Sequence, residues 1–572
     1  MKILSLHCDY IKFKPIKSAI KNPEELDEKR KKEIDIKDPL VIFTAVEKQD
    51  EQNSNLLQQY VEEILSLASQ VNATNLVLYP YAHLSSSLSK PDFALKTLEK
   101  AEKELEKNKK YKITRAPFGY YKEFELKCKG HPLSELSRSI GESKEIETSK
   151  KGSLGNEVTD YKQLLREVSK SKLDTRELKD NDHRIIGKQM DLFSFSEVAP
   201  GMVFWHNNGL IIRNKLIEYW REEHRKAGYQ EILTPQILDK KLWLISGHWE
   251  KFKENMFMTE YEGKEFAVKP MNCPGGMLVY KNSPRSYKDL PLRVGELGIV
   301  HRQELSGVVG GLLRVIQITQ DDAHIFCKEE QLEEEIIKII ELINKFYKTF
   351  NLQFDHVELS TRPEKRIGSD EIWDKAESIL EKVLKKKKIT FKINKGDGAF
   401  YGPKIDFHVK DSLGRTWQLS TIQLDFAMPE RFDLTYTEED NSQKRPVMVH
   451  RVVYGALERF LGIYLESTNG KLPLWIAPKQ IRIVNFTDKN NKACEKLFEE
   501  LNELGFRVDL DLKSEPISGK IKQAEMEKIP YIITIGNKEE ESGNLAVRKD
   551  NKVTQIKKAD FIKQIQKEVE EK

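Results

Sequence analysis

Cysteine is sparse, with 5 in 572 residues: Cys8, Cys128, Cys273, Cys327 and Cys494, odd in number and scattered. That excludes a disulfide-built fold and fits a reducing compartment. No apolar run approaches the ~20 residues of a membrane span. The opening Met1-Lys-Ile-Leu-Ser-Leu-His-Cys8 has too short an apolar stretch for a signal peptide. Charge of one sign is also missing: 95 Lys+Arg against 91 Asp+Glu leave +4. Nothing global announces a polyanionic partner, although local basic faces remain open. No repeat occurs at solenoid spacing. These absences leave a cytoplasmic globular chain. Its 39% hydrophobic and 9% aromatic residues can fill several cores. At ~150 residues per domain, three or four domains are expected.

Four stretches differ in pattern. Residues 1–140 alternate strand-like runs (Lys2–Leu6, Leu40–Val46, Leu76–Tyr79, Tyr120–Lys127) with helical ones. Leu56, Tyr60, Ile64 and Ala68 mark one helix face, and Pro91 opens a second helix. This predicts an α/β domain. Residues 141–182, rich in Glu, Lys, Ser and Thr, read as a linker with one charged helix around Tyr161–Lys172. Residues 183–475 carry long helical patterns at Leu210–Lys226, Glu329–Phe350, Asp370–Lys386 and Val452–Ser467. Strand runs there, at Leu292–His301, Leu312–Thr319 and Trp417–Leu424, follow one another without helices between, which predicts an antiparallel sheet. Residues 476–572 alternate strand and helix and predict a small α/β domain with a mostly parallel sheet.

Several short strings could carry chemistry. In Val300-His-Arg-Gln-Glu304, a strand delivers Arg302 beside Glu304; an arginine fork suits a phosphate oxygen, and a surface ion pair would look the same. The glycine-rich Ser306–Gly311 follows, then Arg314 as a second cation. Arg459 lies among Leu457, Phe460, Leu461 and Ile463, where it must find an anion or reach water. Cys273, His324 and His450 sit in distinctive local settings but far apart in the chain. Spacing alone favours a core thiol and two hydrogen-bonded histidines, although three such ligands would suit Zn²⁺ with one side open. In the first stretch, His83 and Lys122 each follow a proline-containing turn at a strand end, a usual place for binding groups.

Together these strings resemble the threonyl-tRNA synthetases, class II aminoacyl-tRNA synthetases, in their archaeal form. The resemblance covers nearly the whole chain. It runs from Asp182-His-Arg-Ile-Ile-Gly-Lys-Gln-Met-Asp-Leu192 through Ala199–Trp205, Asp289–Arg293, Leu359–Asp370 and Gly398–Ile405 to Pro473. Tyr79-Pro-Tyr-Ala-His-Leu-Ser-Ser86, Ala116-Pro-Phe-Gly-Tyr-Tyr-Lys122 and Lys129-Gly-His-Pro-Leu133 are similar to the archaeal editing domain, which shares its fold with D-aminoacyl-tRNA deacylases. The resemblance therefore implies a multidomain α/β and α+β chain. It has a deacylase-like editing domain (1–140), a class II antiparallel-sheet catalytic core (183–475) and an anticodon-binding domain (476–572).

It further implies ATP-dependent ligation of L-threonine to tRNA(Thr) through threonyl-adenylate, with hydrolysis of seryl-tRNA(Thr). Arg302 would bridge the α-phosphate and the amino-acid carboxylate, with Glu304 and Arg314 on the adenine side and phosphate tail, and Arg459 on the γ-phosphate side. Cys273, His324 and His450 become ligands of one Zn²⁺ per subunit. Asp322, Tyr401 and Gln423 would surround threonine, Gln320 and Gln418 would line the substrate and ATP site, and His248 would meet the terminal ribose. Editing falls to His83, Tyr121, Lys122 and Glu135, and anticodon contact to Glu539 and Arg548. Mg²⁺ would accompany ATP. A motif 1 helix ending near Thr234-Pro235 implies a homodimer.

The chain departs from the family pattern in places. Gly276 stands where His is common after Met271-Asn-Cys-Pro-Gly275, Gln418 stands where many class II enzymes place a carboxylate for Mg²⁺, and Ser514–Lys522 is altered. The competing expectations are a sister synthetase of the prolyl or seryl type, and a catalytically dead RNA-binding paralogue. The latter should have lost an arginine or a ligand.

Overall fold

In the computed structural model, which describes residues 1–21, 23–85, 87–130, 134–140, 178–304, 307–411 and 413–572, the chain divides into two units, Met1–Glu157 and Val158–Lys572. The expected helix around Tyr161–Lys172 lies outside the described residues.

In the first unit one long strand, β1 (Lys2–Ser18), serves two sets of neighbours. Its first half pairs with β3 (Pro39–Ala45) and β7 (Glu135–Ser139), its second half with β2 (Ile34–Lys37) and β6 (Tyr120–Cys128), all antiparallel. β3, β4 (Asn75–Pro80) and β5 (Lys112–Arg115) run parallel. All of β3 is buried, as expected of a parallel strand covered on both faces. Helices Leu56–Gln70 and Pro91–Glu106 make the crossovers. The first buries Leu56, Tyr60, Ile64 and Ala68, the stripe visible in the sequence.

The second unit begins with the helix His183–Gln189 and the short pair β8 (Phe193–Ser194) and β9 (Phe204–Trp205). A small sheet of β11 (Ile237–Asp239), β12 (Phe257–Tyr261) and β13 (Lys264–Val268) stands beside the main one. The main sheet has the order β10-β14-β15-β22-β19-β18-β16-β17. Its strands are β10 (Gln230–Glu231), β14 (Leu292–His301), β15 (Gln317–Cys327), β16 (His356–Ser360), β17 (Lys392–Asn394), β18 (Lys404–Lys410), β19 (Thr416–Asp425) and β22 (Val447–Val452); the hairpin β20 (Tyr436–Thr437) and β21 (Gln443–Lys444) is separate. Only the outermost pairs, β10–β14 and β16–β17, are parallel. Helices Asn207–Lys226, Leu332–Thr349, Asp370–Lys386 and Leu457–Thr468 share one core with this sheet, including Trp220, Ile325, Phe346, Leu380, Ile422 and Phe460.

Three boundaries differ from the sequence reading. Leu312–Ile316 are not strand: Leu313 and Arg314 close a turn on the Gly310 carbonyl, and β15 starts at Gln317. The helix expected from Val452 starts at Leu457, because Val452 completes β22 and Gly455 bends the chain at φ +79°. The helix expected to end near Thr234-Pro235 ends at Lys226.

The last block is a five-stranded sheet, β24-β23-β25-β26-β27. β23 (Ile481–Asn485), β24 (Val508–Asp511) and β25 (Tyr531–Ile535) are parallel, and β26 (Asn544–Lys549) and β27 (Lys552–Lys557) add an antiparallel hairpin. The sheet is therefore mixed. Strand β27 escapes hydrophobic patterning because it is almost wholly exposed, while β26 buries only Leu545 and Val547. The turn between them, Asp550-Asn551, has positive φ at both residues, the mark of a tight hairpin. Among the described residues no helix is long and apolar enough to cross a membrane.

At Gly455 a Cβ would sit 2.4 Å from the Leu419 carbonyl oxygen. Left-handed backbone alone costs a side-chain-bearing residue about 1–2 kcal/mol. Gly455→Ala is expected to lower stability by at least about that much, read from urea unfolding; an unchanged midpoint would refute the constraint.

Candidate active site

Strand register builds the central site. His324 on β15 lies directly opposite His450 on β22, and His450 lies opposite Gln423 on β19. Cys273 opens the helix Cys273–Lys281, whose start suits Pro274, which has no amide to satisfy. One ligand atom from each of Cys273, His324 and His450 lies within 4.8 Å of the others, and all three residues are buried. His450 Nε2 is 2.8 Å from Asp425 Oδ2, which holds that ring and leaves Nδ1 as its other nitrogen. His324 Nε2 is buried with no hydrogen-bond partner. A soft sulfur and two imidazoles with an unsatisfied nitrogen fit a zinc-type ion. Burial pushes the Cys273 thiol up, with Asp322 and Asp425 adding to it, and pushes the His324 imidazole down, so both are held neutral.

Around this set stand the other expected residues. Asp322 Oδ2 is 3.7 Å from His324 Nε2. The Tyr401 ring lies 5.2 Å from that of His450. Gln423 donates to the Gly402 carbonyl at 3.1 Å. His248 is fully buried, with Nε2 3.9 Å from Cys273 Sγ and Nδ1 2.8 Å from Ser246 Oγ, and burial holds its pKa down at about 3. At Gly276 a Cβ would lie 3.3 Å from His324 Nδ1, so glycine leaves that edge of the ring uncovered.

Arg302 and Arg459 are less neutralised than a surface pair would be. Arg302 bonds the Pro270 carbonyl through Nε at 3.1 Å and lies over Phe252. Arg459 bonds the carbonyls of Leu313 at 2.8 Å and Gln418 at 3.0 Å and lies over Trp417. Its pKa falls to about 10, chiefly through burial and then through repulsion by Arg314 and Arg302. Glu304 is held by Arg314 at 2.8 Å. Three guanidinium groups thus share a field with two carboxylates, Glu304 and, near Arg302, Asp322, which leaves a cradle for a polyanion. Gln320 lies on β15 opposite Gly298 and bridges to Ala456. Gln418 is engaged by its own amide, which donates to Asp406 at 2.5 Å and Thr421 at 2.7 Å.

Two buried supports were not visible in the sequence. Asp321 accepts the backbone N–H groups of Val453, Tyr454 and Gly455 at 2.9–3.0 Å, and Trp220 Nε1 at 3.2 Å. It fixes the bend that leads into Arg459. His183 joins Glu466 Oε1 at 2.7 Å to the Leu312 N–H at 3.0 Å, next to the carbonyl that holds Arg459. Strand alternation in Asp321-Asp322 was the available signal, because neighbours on a strand face opposite sides.

In the first unit a cavity of about 480 Å³ opens at the carboxyl ends of β3 and β4, lined by Thr44, Tyr79, His83, Tyr121, Lys122 and other residues. Lys122 Nζ donates to the carbonyls of Pro117 at 2.9 Å and Tyr120 at 3.1 Å, and burial lowers its pKa to about 8. His83 sits on the turn Ala82–Leu84, its ring 5.4 Å from that of Tyr81. Tyr121 is exposed under Lys17. Glu135 does not line this cavity; it pairs with Leu6 in the sheet and acts on the Cys128 thiol. In the last block, Glu539 accepts from the Gly536 amide at 3.0 Å and from Gln555 at 3.0 Å, while Arg548 faces Glu525 at 3.6 Å.

Comparison with known proteins gives three family matches. Residues 1–140 match the archaea-specific editing domain of threonyl-tRNA synthetase, residues 257–468 the class II tRNA synthetase core domain (G, H, P, S and T), and residues 480–568 an anticodon binding domain. The chain is 51% identical over 417 residues to a threonine--tRNA ligase of Carboxydothermus hydrogenoformans, covering 73% of this chain and 64% of that protein. It is 53% identical over 395 residues to one of Caldanaerobacter subterraneus subsp. tengcongensis, covering 69% and 61%. The chain thus spans just under two thirds of the length of these curated relatives. A solved RNA-binding domain of threonyl-tRNA synthetase from Cryptosporidium parvum Iowa II is similar with a TM-score of 0.65 and 38% identity, covering 68% of this chain and 98% of that one.

Replacing Asp321 tests the clamp behind the arginine helix. Asp321→Asn turns one acceptor into a donor facing amides, and a buried unsatisfied group costs about 1–3 kcal/mol. Urea unfolding should register a loss of that size; no loss would show the clamp to be dispensable.

Proposed function

The chain belongs to the threonyl-tRNA synthetase family, and we propose that it joins L-threonine to tRNA(Thr) through threonyl-adenylate and hydrolyses seryl-tRNA(Thr) in its first unit. The observation that carries the reading is the meeting of Cys273, His324 and His450 in the same unit as the weakly neutralised Arg302 and Arg459 and the Arg314–Glu304 pair.

The threonine carboxylate attacks the α-phosphorus of ATP, a P–O bond forms, and pyrophosphate leaves. Negative charge on the α-phosphate oxygens grows in the transition state. Arg302, held rigidly by the Pro270 carbonyl, stabilises it without reorganising. Arg459 takes the γ-phosphate end. Arg314 exchanges Glu304 for the phosphate tail, which frees Glu304 for the adenine side. Gln320 and Gln418 line the ATP side, and Mg²⁺ enters with ATP. In the second step a hydroxyl of the terminal adenosine attacks the threonyl carbonyl carbon, with His248 at the ribose. The ester C–O bond forms as the C–O bond to the phosphate breaks, and AMP leaves, with the hydroxyl proton passing to its phosphate or to water.

Cys273, His324 and His450 would hold one Zn²⁺ per chain, which when bound supplies a Lewis acid for the amine and hydroxyl of threonine. Asp322, Gln423 and Tyr401 close the pocket around that end of the substrate. Valine lacks the hydroxyl and leaves polar groups unpaired, so it is rejected strongly. Serine lacks only a methyl, which is worth only ~1–3 kcal/mol. That shortfall is the physical reason for a second, hydrolytic site.

The cavity at His83 and Lys122 supports this editing role, with Tyr121 at its rim. Glu135, paired with Leu6 in the sheet and outside that cavity, is left out of this reading. The last block binds the anticodon, with Glu539 and Arg548 as contacts. Leu233 and Ile237, exposed by 78% and 55% beside Thr234-Pro235, support a homodimer through that surface. Residues 1–140, 183–475 and 476–572 serve as the editing, catalytic and anticodon parts, joined through 141–182. The same reading places the chain in the cytoplasm, where its tRNA is charged.

Two measurements check this reading. The purified chain should carry about one zinc tied to Cys273, and Cys273→Ala should lower threonine-dependent ATP–pyrophosphate exchange by ~100-fold or more. Full exchange in the variant would end the zinc assignment, and exchange with proline or serine in place of threonine would point to a sister enzyme. Separately, Lys122→Met should leave threonylation intact and slow seryl-tRNA hydrolysis by ~100-fold; an unchanged seryl-tRNA lifetime would remove Lys122 from editing.

A further inference from the structure

The main sheet carries a second convergence of ligand-type side chains, on strands other than those bearing His324 and His450. His356 and Glu358 stand two apart on β16 and share a face. His408 lies directly opposite His356 on antiparallel β18. One ligand atom from each of the three lies within 4.8 Å of the others. The imidazoles stack with centroids 4.4 Å apart and planes 7° apart. Both present Nε2 to one carboxylate: His356 Nε2 is 3.2 Å from Glu358 Oε1, and His408 Nε2 is 3.6 Å from Glu358 Oε2.

These separations have a chemical meaning. A tetrahedral ion with ligands at ~2.0–2.1 Å sets its ligand atoms about 3.3–3.4 Å apart. The His356 Nε2···Oε1 distance of 3.2 Å comes close to that edge, and His408 Nε2 reaches the other oxygen, Oε2, at 3.6 Å. The outer contacts are also those of a ligand set. Asp355 Oδ2 holds His356 Nδ1 at 2.7 Å, and Asn394 Nδ2 donates to Glu358 Oε2 at 2.9 Å. With its proton on Nδ1, a neutral His356 turns a bare Nε2 lone pair toward a carboxylate oxygen, an arrangement a cation resolves. His408 Nε2 is itself buried without a hydrogen-bond partner. The side chains of His356, Glu358 and His408 are 21%, 20% and 16% exposed, which leaves an ion a route from water.

We propose that His356, Glu358 and His408 form a divalent transition-metal site that cross-links β16 to β18. Two imidazole nitrogens and one carboxylate select a zinc-like ion over Mg²⁺ or Ca²⁺. The fourth position faces water. The rings tilt about their Cβ–Cγ bonds so that both lone pairs meet the ion. The site is independent of Cys273, and its occupancy does not rest on the synthetase reading. The rival state of the same residues is a metal-free clamp, with one protonated imidazole held between Asp355 and Glu358.

Metal analysis of the full-length chain separates the two. The protein is stripped with a chelator, dialysed against Zn²⁺, and its bound metal counted together with its melting temperature. The parent should bind one equivalent more than either His408→Asn or Glu358→Gln, and Cys273→Ala should retain that additional equivalent. Affinity for it should fall at least ~10-fold in Glu358→Gln. Co²⁺ gives a second readout: thiolate charge-transfer absorption belongs to Cys273 and should persist in His408→Asn, which also certifies that this variant is folded. Zn²⁺ should raise the melting temperature of the parent more than that of His408→Asn. Equal metal counts and equal melting shifts in parent, His408→Asn and Glu358→Gln would overturn the proposal and leave the protonated clamp. So would loss of the additional equivalent in a His206→Asn control, which would mark it as surface histidine binding only.

Discussion

The functional centre depends on the register between three antiparallel strands. Pairing β15 with β22 and β22 with β19 sets His324, His450 and Gln423 side by side. The strands themselves are held by backbone hydrogen bonds and by a core that includes Ile325, Ile422, Val449 and Phe460. His324, His450 and Gln423 therefore ride on paired strands packed against the core. Of the three ligand-type side chains, Cys273 arrives from elsewhere, at the start of a helix whose first turn carries Pro274.

The polar groups behind the site follow one design. Lys269 and Glu296, both essentially unexposed, pair at 2.8 Å and share Thr234. Asp321 is wholly buried and clamps three amides. His183 bridges Glu466 and the Leu312 amide. Each satisfies a bend or loop that would otherwise bury unpaired backbone. The arginines differ. Arg302 and Arg459 lean on carbonyl oxygens and aromatic faces, contacts that hold a guanidinium in place without cancelling its charge.

Much of this was legible in the sequence, and the rest was hidden for physical reasons. Period-four apolar residues placed the helix at Leu56–Gln70, and strand runs placed β14 and β19, because burial writes itself into spacing. Strand β27 left little such trace, since only Ile556 of it packs against the core, and the buried pair Leu545 and Val547 on β26 is too short a pattern to mark a strand. Leu312–Ile316 looked like strand from its apolar residues, yet a turn at Gly310 decides its conformation. Within the site, Arg302, Cys273 and His450 stood out through their local strings. Spacing could not join them, because the joining is done by sheet pairing between distant segments. Glu135 was carried over by resemblance and lies in the sheet beside Cys128, outside the cavity that His83 and Lys122 line.

The neighbours Asp321 and Asp322 have a consequence for how this chain can change over generations. One carboxylate is structural and the other is turned to the ligand pocket, and only the alternation of a strand separates them. Inserting or deleting a single residue upstream within β15 would exchange the two faces, sending the clamp into the pocket and the pocket's acid into the interior. Length variation in this protein must therefore accumulate in its loops, while this strand drifts only by substitution.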